Sequence, residues 1–262
     1  MSNVISMINM KGGVGKTTMT VNLSYELATR FDKKVLLIDM DPQFNATQLL
    51  FTRFKDINEY QDIQNNSQTI AGLLVAQNSF VTSGIIEIGD TIIQLSHNLD
   101  LIPGDLRLTD FEASARGAEK KLKILLDKVK DDYDYIFIDT PATYSVYSQA
   151  SLYASDYYIV PMMPDMFATL GYTLLKKKMR EDPVLEGKEI KHLGVIINLW
   201  NGNIVGRHNI ISEIPDDELF KTKISEYEVN RSGTGQNLMS DRVLNNKDIE
   251  NFANEVLDRI SQ

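Results

Sequence analysis

The sequence predicts an α/β fold in which a predominantly parallel, twisted sheet lies between two layers of helices. Short, continuous apolar runs recur along the chain and have the length and composition of strands buried on both faces. Stretches with helical periodicity alternate with these runs, as in sheets whose parallel strands are joined by helices. Polar residues, several of them aspartates, directly follow the runs, where sheets of this kind bind ligands.

The strands are predicted from the apolar runs at residues 4–8, 35–38, 100–103, 135–139, 156–161 and 192–198. The helices are predicted from apolar residues spaced by three and four positions. They cover residues 18–31, 70–75, 108–130 with a break near Gly117, 168–180 and 247–260. No repeat, low-complexity tract or linker interrupts the sequence, so we expect one domain over residues 1–262.

The strongest motif is a glycine-rich segment, KGGVGKTT, between the first predicted strand and the first predicted helix. Glycines allow several backbone N–H groups to point at one phosphate, and the helix N-terminus adds unpaired donors. Lys16 supplies positive charge for the β- and γ-phosphates, and the Thr17 hydroxyl is a Mg²⁺ ligand in such loops. The order of strand, loop and helix therefore predicts a P-loop NTPase-like fold.

The loop departs from the general pattern G-x-x-x-x-G-K-[ST] at its beginning. Met10 occupies the position of the first glycine, the glycines fall at Gly12 and Gly13, and an additional lysine, Lys11, precedes them. If the loop wraps the phosphates, Lys11 lies on its rim and faces outward. We therefore expect Lys11 to reach the nucleotide of a second subunit and to act in trans, as arginine fingers do. The alternative is a solvated lysine beside the site.

Three aspartates at predicted strand ends are candidates for the chemistry of hydrolysis. Asp139 ends one strand, where a carboxylate can hold Mg²⁺ through its water shell. Asp39 and Asp41 follow another strand, and their spacing directs the two side chains to opposite sides. We expect one of them to hold the loop or the metal and the other to meet the attacking water. The alternatives are a turn cap at Asp139 and a turn formed by Asp41 with Pro42.

Five segments together resemble the ParA/MinD group of deviant Walker A ATPases, and the ParA-type DNA partition ATPases in particular. They follow the order of that family and are KGGVGKTT (11–18), VLLIDMDPQFNAT (35–47), LDLIPGDL (99–106), YDYIFIDTPA (133–142) and ASDYYIVPMMPDMFATLG (154–171). The resemblance implies a Mg²⁺-dependent ATPase with weak intrinsic turnover, and a homodimer that holds two ATP molecules between its subunits.

The resemblance also implies roles for individual residues. The implied catalytic residues are Lys11, Lys16 and Asp41, and the implied metal site consists of Thr17, Asp39 and Asp139. The implied nucleotide-binding residues are those of the loop, with one more near the adenine: Lys11, Gly12, Gly13, Val14, Gly15, Lys16, Thr17, Thr18 and Asn198. Two departures from the family pattern bear on the shape of the loop after Asp41 and on the base contact and DNA surface, respectively. Phe44 stands where many relatives have glycine, and Ser225 and Glu226 replace a Pro-Arg pair in residues 224–235.

The partners implied by the resemblance are nucleic acid and protein. In the ParA branch the ATP-bound dimer binds double-stranded DNA without sequence preference. A centromere-binding ParB-type protein then stimulates hydrolysis through a basic N-terminal segment, and plasmid or chromosome partition follows. Binding of this kind needs only several phosphate contacts, here set against a net charge of −9. The candidate DNA-binding residues are Lys176, Lys177, Arg180, Lys221, Lys223 and Arg231.

Composition limits the alternatives. A short first apolar run and the absence of cysteine lead us to expect a cytoplasmic protein, and the DNA binding that the resemblance implies would place it on the nucleoid. An iron–sulfur reductase on the same loop would need cysteines. A MinD-like membrane-associated positioning ATPase would end in a helix that lies on the bilayer. Because the polar face of the last predicted helix is acidic, we expect that helix to pack on the domain and no membrane binding. A nucleotide-gated module without turnover is the remaining alternative.

Overall fold

The computed structural model describes residues 2–75, 86–113, 117–226, 238–241 and 246–262. The described strands are β1 (Asn3–Met7), β2 (Val35–Asp39), β3 (Ile93–Gln94), β4 (Leu99–Ile102), β5 (Tyr135–Asp139), β6 (Tyr157–Met162), β7 (Lys191–Trp200) and β8 (Leu219–Ser225). They form one sheet in the order β3-β4-β2-β5-β1-β6-β7-β8. Short β3 pairs antiparallel with β4, and the other neighbouring strands pair in parallel. The predominantly parallel sheet is therefore confirmed.

Helices cover both faces of this sheet. The described helices are α1 (Lys16–Thr29), α2 (Asn45–Phe54), α3 (Ile57–Asn65), α4 (Ile70–Leu74), α5 (Lys121–Leu126), α6 (Val146–Ala154), α7 (Ala168–Arg180), α8 (Val205–Ile211) and α9 (Asn246–Ser261). Strand β2 shows the three layers most simply. Its Val35 and Leu37 pack in a cluster with α1, α2 and α9, whereas Leu36 and Ile38 pack with α4, α5 and α6. Burial on both faces explains why the strand sequences are continuously apolar.

The predicted helix over residues 108–130 is wrong in most of its length. Its first part is a 3₁₀ segment, Leu106–Ala113, and only Lys121–Leu126 is α-helical. Leu108 and Phe111 are both fully buried, and their spacing of three fits the three-residue turn of a 3₁₀-helix as well as an α-helix. Gly117 has a left-handed backbone (φ 92°) and ends any continuous helix at the predicted break.

Several elements were not predicted: α2, α3, α6, α8, β8 and the short β3. Helix α3 carries a recognisable start signal, because the Asp56 side chain accepts a hydrogen bond from the backbone N–H of Asn58. Helix α2 carries none, since its N-cap is Phe44, which has no side-chain acceptor. Strand β8 lies at a sheet edge, and three consecutive polar residues, Lys221, Thr222 and Lys223, interrupt its apolar residues, so it lacks the continuous apolar run of the central strands.

Helix α9 packs against the domain, as predicted. Its residues Ile249, Phe252, Ala253 and Val256 are fully buried, and the Phe252 ring lies edge-on to Phe220 with 5.0 Å between ring centroids. The apolar face that a membrane-surface helix would need is therefore occupied by the protein itself. Among the helices that the structure describes, none combines the length and apolarity needed to cross a membrane.

Replacement of Phe252 by alanine should lower the free energy of unfolding by about 3–5 kcal/mol, because it leaves a cavity in this contact. Asn251→Ala on the exposed side of the same helix is the control and should change stability little. Chemical denaturation of both variants measures the difference. Equal, small effects would contradict the packing of α9.

Candidate active site

The glycine-rich loop joins β1 to α1 at the carboxyl edge of the sheet. Its last glycine, Gly15, is the N-cap of α1 and has a left-handed backbone (φ 92°, ψ 28°). A Cβ atom at Gly15 would lie 2.1 Å from Nδ2 of Asn198 on β7. Both the conformation and the space therefore require glycine here. The backbone N–H groups at the beginning of α1 are consequently free to meet an anion.

Asn198 supports the loop from the neighbouring part of the sheet. Its Nδ2 donates a 2.9 Å hydrogen bond to the Val14 carbonyl, and the residue is only 3% exposed. Its Oδ1 is buried and accepts no hydrogen bond from the residues described. The side chain thus fixes the loop with one end and keeps an acceptor at the other. Its contact with adenine stays a prediction.

Lys16 is buried at the start of α1, and its Nζ donates a 3.2 Å hydrogen bond to the Lys11 carbonyl. Burial lowers the pKa of Lys16, while the nearby carboxylates of Asp139 and Asp41 act in the opposite direction. The ammonium group is therefore shielded from water and surrounded by carboxylates. A phosphate arriving at the loop would meet a strong, poorly solvated donor.

Asp39 and Asp139 end neighbouring strands in register and are both fully buried. Burial raises the pKa of each carboxyl group, and the charge of Asp39 raises the pKa of Asp139 further. Oδ1 of Asp139 accepts a 3.2 Å hydrogen bond from the Thr20 hydroxyl. Oδ2 of Asp139 is buried and has no hydrogen-bond partner within the described chain. A free carboxylate oxygen beside Thr17 and Lys16 fits a hydrated Mg²⁺ ion.

Asp39 has a different set of contacts. Its Oδ2 accepts hydrogen bonds of 2.8 Å from both the backbone N–H and the hydroxyl of Thr47, and its Oδ1 accepts one of 3.2 Å from the Asp41 N–H. These contacts tie the loop after β2 to the sheet, so they match the loop-holding alternative of the two roles considered for Asp39. Its metal role stays a prediction.

A cleft of about 580 Å³ lies over the loop. One wall is the glycine-rich segment with Lys16, Thr17 and Thr18, and another is Asp41. Helix α2 supplies a third wall that the sequence did not predict, formed by Asn45, Gln48, Leu49 and Thr52. The structure therefore brings Asp41 to the same cleft as the predicted phosphate-binding residues. It brings Asn198 beneath the loop, outside that cleft lining.

Lys11 lies on the rim of the loop and is about one-third exposed, and its ammonium group forms an ion pair with Asp165 of the same chain. Asp165 was not predicted as a site residue, although it follows β6 in the same way as the other aspartates follow their strands. The same residue also caps the turn into α7 by accepting the Phe167 N–H. In this structure Lys11 is therefore held by its own subunit.

The described candidate DNA-binding residues lie on two elements, α7 and β8. Lys177 and Arg180 are exposed on α7, where Lys177 lies 3.9 Å from Glu181, and Lys176 forms a closer ion pair with Glu218 (3.0 Å). On β8, Lys221 is exposed, and Nζ of Lys223 lies 4.4 Å from the centre of the Trp200 ring. Arg231 lies outside the described residues.

The segment after β7 surrounds the position predicted to be near the adenine. Arg207 donates a 2.6 Å hydrogen bond to the Leu199 carbonyl and pairs with Glu226 at 3.1 Å. Glu226 is one of the two residues that replace the Pro-Arg pair of the family, and it is bound by a cation from α8. The Trp200 ring lies edge-on to His208, with 4.9 Å between ring centroids. The rest of the predicted contact region, residues 227–235, lies outside the described structure.

Two glycines of the loop provide a matched test of this geometry. Both Gly13 (φ 74°) and Gly15 have left-handed backbones, but an added Cβ meets nothing within 4 Å at Gly13. Gly13→Ala should cost about 1 kcal/mol of folding free energy from the backbone alone. Gly15→Ala should cost about 1–3 kcal/mol more, because it displaces Asn198. Thermal and chemical unfolding compare the two variants, and equal destabilisation would contradict the contact.

Comparisons with known proteins identify the family of this chain. Residues 2–183 match the family model described as an AAA domain. The sporulation initiation inhibitor protein Soj of Bacillus subtilis is 32% identical over 210 residues, which cover 76% of each protein. The virulence plasmid ParA family protein pGP5-D of Chlamydia psittaci is 30% identical over 270 residues, covering 98% of this chain and 95% of that protein.

Solved structures show the same fold. A protein assigned to plasmid partition in Borrelia burgdorferi B31, solved with bound AMPPNP, superposes with a TM-score of 0.80 at 28% identity, covering 100% of this chain and 99% of that one. Cobyrinic acid a,c-diamide synthase from Mycobacterium smegmatis, solved with an ATP analogue and magnesium, has a TM-score of 0.77 at 21% identity and shares the fold alone; 100% of this chain and 97% of that one are covered. The chain therefore belongs to the ParA family of partition ATPases.

Proposed function

We propose that this chain is a Mg²⁺-dependent ATPase that dimerises on binding ATP, binds DNA without sequence preference as that dimer, and drives plasmid or chromosome partition. A ParB-type centromere-binding protein with a basic N-terminal segment would stimulate hydrolysis. The observation that supports this most strongly is the cleft in which Lys16, Thr17 and Asp41 meet above the buried Asp139. We propose further that residues 1–262 act as one domain, in the cytoplasm and on the nucleoid.

The proposed catalytic arrangement uses residues that converge on the cleft. The loop backbone and Lys16 bind the β- and γ-phosphates, and Thr18 binds the α-phosphate. Asp41 lines the cleft opposite the loop, where its carboxylate can orient the attacking water. When bound, Mg²⁺ would be held by Thr17 and, through water, by Asp139, and it would neutralise charge developing on the phosphates. The poorly solvated environment of Lys16 strengthens its interaction with that charge.

Dimerisation is supported by what lies beside Lys11. Directly after Asp165, the chain exposes large apolar side chains at the start of α7: Met166, Phe167, Leu170 and Leu174. Exposed apolar groups in one contiguous stretch mark an interaction surface. A second copy that covered this surface would also bring its nucleotide within reach of Lys11. Lys11 must first leave Asp165, which explains why a single subunit would hydrolyse ATP slowly.

Three substitutions separate the steps of hydrolysis. Lys16→Ala should abolish nucleotide binding, because it removes the buried cation. Asp41→Ala should bind ATP and dimerise but not hydrolyse it, and Lys11→Ala should bind ATP without turnover. Nucleotide titration, light scattering and phosphate release measure the three steps. Normal turnover by Asp41→Ala would refute the water-positioning role.

The trans role of Lys11 has its own control within the same experiment. A mixture of Lys11→Ala and Asp41→Ala chains forms some heterodimers. In a heterodimer, the site of the Lys11→Ala chain keeps its own Asp41 and receives Lys11 from the Asp41→Ala chain, so one of the two sites is complete. Mixing should therefore restore part of the activity that each variant lacks alone. No restoration in a mixture that still dimerises would show that Lys11 acts within its own subunit.

DNA binding should depend on nucleotide and salt. Gel shifts with duplex DNA should show binding with ATP or a slowly hydrolysed analogue and release with ADP. Replacing Lys177 and Arg180 together by alanine should make the slope of the logarithm of the binding constant against the logarithm of the salt concentration shallower. The expected change is about one unit for each phosphate that is no longer neutralised. Lys128→Ala, which removes an exposed lysine that is not among the candidate DNA-binding residues, is the control. Equal DNA binding in all nucleotide states would contradict the proposal that ATP binding controls DNA binding.

A further inference from the structure

Phe44 has a backbone conformation that non-glycine residues rarely adopt. Its φ of 41° and ψ of 40° are left-handed, which costs an L-residue about 1–2 kcal/mol. Phe44 lies three residues after Asp41, and it is also the N-cap of α2, the helix that forms a wall of the cleft. A strained residue between Asp41 and a wall of the cleft requires contacts that hold it in place.

The Phe44 ring is held by an aromatic partner on α3. It stacks on Tyr60 with 5.6 Å between ring centroids and 22° between ring planes. Tyr60 is itself fixed at two points, because its hydroxyl donates a 2.9 Å hydrogen bond to the Gly104 carbonyl and its ring meets Phe51 edge-on at 5.5 Å. The stack therefore connects the loop after β2 to the end of β4.

The Phe44 side chain is also confined at its Cβ atom, by Gly104. A Cβ atom at Gly104 would lie 2.7 Å from Cβ of Phe44 and 2.9 Å from Cγ of Asp39. The Gly104 N–H donates to the Thr47 hydroxyl (2.8 Å), which in turn donates to Asp39. Phe44 is thus held by the Tyr60 ring and by Gly104 at the end of β4, and these three residues form a clamp. Asp39 is joined to the clamp through Thr47.

The clamp is linked directly to Asp41. The Phe44 N–H donates a 2.8 Å hydrogen bond to the Asp41 carbonyl, and the Phe44 carbonyl accepts one of 3.0 Å from Gln48 in the first turn of α2. The Asp41 carboxylate accepts a 2.9 Å hydrogen bond from the Gln43 N–H inside the same turn. The position of the Asp41 side chain over the cleft therefore depends on a turn whose end is Phe44.

We infer that Phe44 and Tyr60 are positioning residues for Asp41, and that their stacked rings hold the turn that aims its carboxylate into the cleft. This inference rests on the proposed function of Asp41. Neither ring lines the cleft, whereas Asp41 and Gln48 do. The pair therefore acts through Asp41, so it should govern the rate of hydrolysis and not the affinity for ATP.

Phe44→Asn tests the inference with little added backbone strain, because asparagine tolerates the left-handed conformation but supplies no ring. Steady-state kinetics should show a kcat lower by about ten- to a hundredfold, as expected for a misplaced catalytic group, with an unchanged KM for ATP. Phe44→Tyr keeps the ring and should retain the wild-type kcat. Tyr60→Leu removes the other ring of the stack without changing residue 44, and it should lower kcat as Phe44→Asn does.

Phe54→Asn is the matched control. Phe54 lies on the same helix and contacts another aromatic residue, Tyr25, at 5.8 Å, but it is at the opposite end from Asp41. Thermal unfolding gives the folded fraction of every variant, and kcat is compared per folded molecule. The inference is overturned if Phe44→Asn and Tyr60→Leu keep the wild-type kcat, or if Phe54→Asn loses as much. Normal turnover by Asp41→Ala would instead refute the proposed water-positioning role of Asp41, on which this inference rests.

Discussion

The burial of charge at the carboxyl edge of the sheet is the constraint on which this structure depends. Asp39 and Asp139 are fully buried on neighbouring strands, and an ionised carboxylate in such a place is costly unless it is compensated. Thr47 and the turn after β2 compensate Asp39, whereas Thr20, Thr17 and the charge of Lys16 only partly compensate Asp139. The negative charge of Asp139 that remains uncompensated is the charge that a divalent cation would balance.

The sequence was sufficient to predict the central sheet, because strands buried on both faces must be apolar along their whole length. It was also sufficient for α7, whose predicted bounds are those observed, and for α9, whose apolar face is buried. It failed where periodicity is ambiguous or absent. Before Gly117, a spacing of three between apolar residues fitted both a 3₁₀-helix and an α-helix. Helix α2 begins after Phe44, which is held by its tertiary contact with Tyr60 and gives no local sequence signal for a helix start.

The same distinction applies to the site. The positions of the loop, Asp41 and the strand-end aspartates could be predicted, because each lies at or directly after the end of an apolar run in the sequence. The α2 wall of the cleft and the ion pair of Lys11 with Asp165 could not, because both join segments far apart in sequence. Among the cations proposed for DNA, the sequence could not distinguish Lys176, which is half-buried and paired with Glu218 at 3.0 Å, from Lys177, which is largely exposed and pairs with Glu181 only at 3.9 Å.

The surroundings of Trp200 give this protein an internal optical probe. It is the single tryptophan of the chain, and it lies two residues after Asn198, the side chain that supports the phosphate-binding loop. Its indole ring contacts a lysine ammonium and a histidine, and indole emission is sensitive to nearby charge. A shift of β7 that accompanied movement of the loop would alter these contacts and therefore the fluorescence. Conformational changes at the loop can thus be followed in real time without a label.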